Sequence, residues 1–169
     1  RRALVEQRYD VSPPKISFQF YEEPETINGY LTKRVVVKLN FATHDKKKNA
    51  KSLTRITQSL WLSTQVKGYD LYTSFNSALS GKTGVNGHRL GLLGDLLSYY
   101  PGDLASIEDD LSRIEGYAVK ARFLLEGSYI QEFSGKPPKK TDKVFKDETC
   151  VLTRVQETST LDSSLFQAP

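Results

Sequence analysis

The chain has 169 residues, a mass of 19.1 kDa and a formal net charge of +4, because 24 basic residues outnumber 20 acidic ones. This length predicts one domain, residues 16–156, rather than two independent cores. A single cysteine excludes an internal disulfide and a zinc site built from several cysteines. No run approaches the ~20 apolar residues that cross a bilayer, so neither a membrane span nor a signal peptide is expected.

Residues 1–15 are predicted to form an extended N-terminal arm. Pro13 and Pro14 disfavour helix around them, and the arm also carries Arg8 and Tyr9. We expect this arm to reach a neighbouring copy in self-association.

Two strands are predicted next. Apolar and polar side chains alternate over residues 16–21, which is typical of a half-buried strand, and the acidic turn at residues 22–25 is expected to end it. Asn28-Gly29 predicts a tight turn. Residues 31–41 are rich in β-branched side chains and alternate strictly, so they predict a second strand.

Two lysine-rich segments, residues 44–51 and 135–146, are too hydrophilic for a core and are interpreted as exposed loops. They carry the candidate basic-surface residues Lys46, Lys47, Lys48, Lys51, Lys136, Lys139, Lys140 and Lys143. Clustered lysines on exposed backbone attract anionic lipid or nucleic-acid phosphate. A purely solvating role for either loop remains an alternative.

The middle of the chain predicts helices, and the C-terminal part predicts strands. Residues 52–66 fit a helical face and also a strand, and helix is favoured. Helical spacing follows in the segments 71–79, 90–97 and 104–114, then strand patterns over 117–133 and 150–155 and a polar tail over 157–169. Strands, then helices, then strands predict an α+β fold, an antiparallel sheet packed with a central group of short helices.

No motif predicts a cofactor, a metal ion or catalysis. Gly81-Lys82-Thr83 resembles the end of a phosphate-binding loop, but residue 76 is asparagine where that loop needs glycine. His44 and His88 have no metal-ligand partner at a recurrent spacing. Cys150 is interpreted as a packing residue in a strand, and the carboxylate runs as solvated faces.

One stretch, residues 34–81, resembles a known family. A strand over residues 35–41 is followed by a basic turn, a segment holding Trp61, a Lys67-Gly68 turn and the aromatic helix of residues 71–79. This order is similar to that in the matrix proteins of rhabdoviruses. The resemblance covers less than a third of the chain, and Pro13-Pro14 does not continue into the proline–tyrosine motif through which many such proteins recruit the host budding machinery.

The resemblance implies a rhabdovirus-matrix-like α+β fold and a non-enzymatic viral structural protein. Such a protein self-associates and links the nucleoprotein, or the whole ribonucleoprotein, to the anionic inner face of the envelope membrane during assembly and budding. It implies a location in the virion beneath the envelope and in the host cytoplasm, at membrane surfaces, with the nucleus as a further compartment. The alternatives are an RNA-binding coat or other nucleic-acid-binding protein, and a small enzyme that uses Cys150 or the carboxylates.

Overall fold

The computed structural model describes residues 8–83, 93–94, 96–97, 99–100, 104–133 and 135–155, and these form an α+β fold dominated by an antiparallel sheet. The strands are β1 (Tyr9–Val11), β2 (Lys15–Ile27), β3 (Tyr30–Asp45), β4 (Ala50–Ser63), β5 (Tyr117–Phe133) and β6 (Lys136–Val151). The helices are α1 (Tyr69–Thr83) and α2 (Glu108–Ser112), the latter preceded by a 3₁₀ turn (Leu104–Ile107). The antiparallel sheet and the helices between β4 and β5 confirm the coarser prediction of an α+β fold with an antiparallel sheet.

The strands β2 to β6 form a meander in which each strand pairs with the next one along the chain. The short β1 pairs with the far end of β3, beside the part of β3 that β2 occupies. Consecutive antiparallel strands reverse direction at each turn, so the β3–β4 and β5–β6 turns lie at the same end of the sheet. The helices follow β4 and therefore lie at the opposite end.

The core lies between the helices and one face of the sheet, called here the core face. Strict alternation on β3 places Val35, Val37 and Leu39 on this face, and all three are buried, as the sequence predicted. Leucines of the 90–97 segment and apolar residues of the α2 region cover them, so the core occupies the helix-proximal part of the sheet. We call this part the covered half.

The opposite face of the covered half is closed by stacked cations and aromatic rings. The Arg34 guanidinium lies 3.9 Å from the centre of the Tyr21 ring, and the Lys120 ammonium lies 4.4 Å from that of Trp61. The indole Nε1 of Trp61 donates a hydrogen bond of 3.0 Å to Glu25. Cation–π contacts of this kind leave these basic groups already engaged within the fold.

The expectation of helix over residues 52–66 was wrong, because Ala50–Ser63 forms the central strand β4. Ile56 and Leu60 suit a helical spacing, but they are four residues apart and so also share one face of a strand. Both are buried against the core face of β3, and thirteen register pairs join β4 to β3. Pairing on both sides outweighed the local pattern.

The second lysine-rich segment was also wrongly interpreted as a loop, since Lys136–Val151 forms the edge strand β6. All but one of its residues are exposed, so it has no buried face and no period-two pattern of apolar residues. Lysines and the prolines Pro137 and Pro138 on such a strand hinder pairing with foreign chains. The prediction that the acidic residues 22–25 end the first strand was also wrong. The strand β2 continues to Ile27 after an irregularity in its pairing between Tyr21 and Glu25.

The remaining predictions have mixed outcomes. Asn28-Gly29 forms the β2–β3 turn with positive φ at both positions (48° and 83°), as a type I′ turn requires. The helix predicted over residues 71–79 is present in α1, but Leu71 and Phe75 point to solvent instead of the core. The tail of residues 157–169 and the first seven residues of the arm lie outside the described residues.

Candidate anionic-surface site

The meander brings the two lysine-rich segments to one end of the sheet. The β3–β4 turn carries the first segment and the β5–β6 hairpin carries the second. Register connects Lys51 on β4 through Ile130 on β5 to Lys140 on β6, so these two lysines share a face about 10 Å apart, two strand spacings. We call this end, with Lys46, Lys47, Lys48, Lys51, Lys136, Lys139, Lys140 and Lys143, the basic end.

A buried carboxylate holds the first turn in place. Asp45, 9% exposed, accepts hydrogen bonds from the backbone N–H groups of Lys47 (3.1 Å) and Lys48 (3.2 Å). Arg8 donates hydrogen bonds to the same carboxylate through two nitrogens, with Nη2 2.7 Å from Oδ2 and Nε 3.2 Å from Oδ1. These contacts, led by the Arg8 hydrogen bond, lower the pKa of Asp45 to about 2.

The side chains of this turn differ in whether the fold neutralises them. Lys46 pairs with Asp10 at 2.7 Å, and Lys51 lies 3.9 Å from Glu132, at the limit of an ion pair. Lys47 and Lys48 are exposed and have no carboxylate partner among the described residues. The turn therefore presents two unneutralised ammonium groups on backbone that Asp45 fixes.

The lysines of β6 show the same division. Lys140 pairs with Asp142 at 3.0 Å, and the Lys143 ammonium lies 5.2 Å from the centre of the Phe145 ring. Lys136 and Lys139 have no acidic partner within the described part of the chain, and both are exposed. Lys136, Lys139 and Lys143 therefore have no described carboxylate that neutralises them, and Lys136 and Lys139 lie nearest the β5–β6 turn.

Two further cations border this end and were not predicted. Lys15 and Arg55 line a groove of about 420 Å³ on the face opposite the core face, together with polar side chains of β3 and β5. Lys15, Asn40 and Arg55 occupy one row of the sheet register. A strand prediction for residues 52–63 would have placed Arg55 beside this groove. The favoured helix prediction did not.

The predicted self-association arm lies partly on the protein's own sheet. Tyr9 pairs with Asp45 in the β1–β3 register, and Arg8 forms the salt bridge to Asp45. Pro13 and Pro14 lie between β1 and β2, where missing N–H groups cost no ladder hydrogen bond. A contact of these residues with another copy stays a prediction.

The residues considered for catalysis are dispersed. Cys150 is on β6 and exposed, contrary to its interpretation as a packing residue. It shares a register row with Val35, about 30 Å along the sheet from His44, so these two cannot form a nucleophile–base pair. His88 lies outside the described residues.

Carboxylates also border a cavity at the end of the sheet opposite the basic end. Glu22 and Glu115 line this cavity of about 410 Å³ at the helix-proximal end of the sheet, called here the covered end. Glu22 pairs there with Lys33 at 3.3 Å. Among the described residues, no group of three or more histidine, cysteine or acidic side chains is placed to hold a metal ion. No helix in the same residues is long and apolar enough to span a bilayer.

Comparisons with protein-family models, with curated proteins and with solved structures found no match to this chain.

Proposed function

We propose that this protein is a non-enzymatic structural protein of viral matrix type, whose basic end attaches to an anionic membrane surface. The observation that carries the proposal is the convergence of both lysine-rich segments on one end of a single sheet. In this role the protein self-associates and links the nucleoprotein to the inner face of an envelope. The α+β fold is compatible with the rhabdovirus matrix resemblance, which supplies the viral context.

Electrostatics support attachment through several weak contacts. Each basic residue near anionic lipid contributes about 1 kcal/mol, and the attraction fades within a Debye length. Lys47, Lys48, Lys136 and Lys139 are exposed and unneutralised by described residues, so they can approach headgroups without breaking an internal ion pair. Together they provide enough attraction for reversible, salt-sensitive binding.

Cosedimentation with vesicles tests this proposal. The protein is expected to bind phosphatidylserine-containing vesicles at low salt, to bind them less at physiological salt, and to ignore phosphatidylcholine vesicles. Changing Lys47 and Lys48 to Ala removes about 2 kcal/mol, which weakens binding on the order of 30-fold. Absence of salt-sensitive binding by the unchanged protein would contradict membrane attachment.

The chain offers a charge-matched control. Lys33 and Lys67 lie at the covered end, so changing both to Ala removes the same charge without touching the basic end. This variant is expected to retain vesicle binding within about twofold, since those positions lie beyond a Debye length of roughly 10 Å from the basic end. Equal losses in both variants would mean that net charge alone governs binding.

RNA binding is the second candidate, and the groove beside Lys15 and Arg55 favours it. A phosphate chain lying across the strands there could continue toward Lys140, because a second groove joins Arg55 to that lysine. Arg55 lies 3.9 Å from Glu126, which partly neutralises it. Strongly salt-dependent binding to RNA, lost on changing Lys15 and Arg55 to Ala and unaccompanied by vesicle binding, would favour this function.

A further inference from the structure

The core face continues past the covered half to the basic end, where it presents two exposed aromatic side chains. Alternation along β5 places Tyr129 and Phe133 on the same face as the buried core residue Phe123. They are 38% and 44% exposed, whereas Phe123 belongs to the core cluster. The described residues therefore leave two large aromatic side chains open on this part of the sheet.

Lysines of β6 stand beside these aromatic side chains. Register pairs Phe133 with Lys136 and Gln131 with Lys139, and cross-strand partners project to the same face of a sheet. The two irregularities in this pairing add their extra residues to β6, so the alternation from Phe123 to Phe133 on β5 is unbroken. Lys136 and Lys139 have no described acidic partner, so this face combines aromatic rings with unneutralised ammonium groups.

The β5–β6 turn places Phe133 at the tip of the basic end. Phe133 and Lys136 form the last register pair of the hairpin, and Gly135 between them has a positive φ of 71°. Pro137 and Pro138 follow directly and are exposed. Prolines have no backbone N–H, so they add apolar surface without a donor that would lose its hydrogen bond to water. The tip can therefore enter a less polar medium at low cost.

Aromatic rings flanked by lysines suit the boundary between lipid headgroups and acyl chains. Tyrosine favours this boundary because its ring is apolar and its hydroxyl polar, and a lysine lays its stem along the acyl region while its ammonium group stays among the headgroups. Glu132, the acidic neighbour of Phe133, projects to the opposite face. Asn49 and Lys51 contact its carboxylate there at 3.5 and 3.9 Å. This carboxylate therefore need not follow the Phe133 ring into an apolar region.

We infer that the β5–β6 hairpin inserts its tip into an anionic bilayer, with the Phe133 ring below the lipid headgroups and Tyr129 nearer the water. The inference rests on the proposed function, because it adds an apolar contact to the electrostatic attachment of the basic end. Salt screens the attraction between lysines and lipid headgroups, but it does not screen the burial of apolar surface. Part of the vesicle binding should therefore persist at physiological salt.

Two matched substitutions measure the apolar contact. Phe133→Ser should weaken binding to phosphatidylserine vesicles at physiological salt on the order of tenfold, because the ring no longer leaves water. Phe75→Ser is the control: Phe75 is 66% exposed on α1, whose Tyr69 hydroxyl accepts a hydrogen bond from the Gly116 N–H at the covered end. This control should bind within about twofold of the unchanged protein, since it leaves the tip intact. Equal binding by both variants would contradict insertion.

Fluorescence of a Phe133→Trp variant tests insertion directly, with phosphatidylserine-containing vesicles whose acyl chains are brominated at their centre. Bromine quenches an indole that reaches the acyl region, so the emission of the introduced indole should shift to the blue on unbrominated vesicles and be lost on brominated ones. The unchanged protein is the control, because its Trp61 is buried at the covered end and should keep its emission.

The outcomes separate this inference from the proposed function. Vesicle binding by the Phe133→Trp variant without quenching would overturn the inference and leave the proposed function standing. Absence of binding by the unchanged protein would overturn both. A blue shift that appears with rising protein concentration and no vesicles would assign the tip to a contact between copies, which also overturns the inference.

Discussion

The covered half and the basic end of the same sheet are built on different principles. In the covered half, Val37 and Leu39 are fully buried under leucines from the helices, and cations stack on aromatic rings. At the basic end, exposed lysines stand on turns and on an edge strand, and backbone pairing with a few polar contacts holds the structure together. Stability and binding are therefore separated along the strands, and mutations should affect one without the other.

Removing a buried side chain from the covered half is the test of this separation with the largest expected effect. Leu60→Ala removes a side chain that is 1% exposed, so it should lower the free energy of unfolding by about 2–5 kcal/mol. Leu53→Ala is the matched control on the same strand, where the side chain is 44% exposed, and should cost less than about 1 kcal/mol. Urea denaturation measures both, and comparable losses would mean that the core extends to the basic end.

Gly116 at the covered end and Gly135 at the basic end allow a comparison of how tightly the backbone is packed at the two ends. Gly116 has φ of 111°, and a Cβ there would lie 3.0 Å from the backbone nitrogen of Ser63, which cannot move aside. Gly116→Ala should therefore cost at least about 2 kcal/mol. Gly135 in the β5–β6 turn has φ of 71° with open space around it, so Gly135→Ala should cost about 1 kcal/mol. Thermal unfolding ranks the two, and a larger loss at Gly135 would contradict the difference in packing.

The smallest expected effect is the pH dependence of fold stability that arises from Asp45 at the basic end. Its pKa in the folded protein, about 2, lies below its ordinary value of 3.8, so the carboxylate stabilises the fold above pH 4 and loses this contribution as the pH falls toward 2. Asp45→Asn should be less stable than the unchanged protein at neutral pH, and the difference should shrink in acid. Urea unfolding at pH 7, 4 and 2.5 measures the trend; a constant difference would exclude the ionised carboxylate as its source.

Sequence patterns predicted a strand correctly where one face of that strand is buried. The alternation of β3 and β5 and the turn at Asn28-Gly29 were predicted because burial and turn chemistry act locally. The strand β4 was missed because the spacing of Ile56 and Leu60 fits both secondary structures until β3 and β5 pair with it. The strand β6 was missed because an exposed edge strand has no buried face to select apolar residues.

The lysines of the candidate site were identified from the sequence, but their arrangement was not. Two segments about 90 residues apart came together because an antiparallel meander returns every second turn to the same end. The anchoring of Lys47 and Lys48 by Asp45, and of Asp45 by Arg8, depends on contacts between distant parts of the chain. Arg55 could be placed beside them only after β4 was recognised as a strand.

Hydrogen–deuterium exchange on phosphatidylserine vesicles, at a protein concentration where the protein is monomeric, tests most directly which end meets the anionic surface. Exchange at the β3–β4 turn, residues 46–49, and in residues 136–143 should slow on the vesicles, while residues 22–29 at the covered end should exchange as they do in solution. Protection of residues 22–29 with unchanged exchange at both lysine-rich segments would contradict the assignment of the basic end as the binding surface.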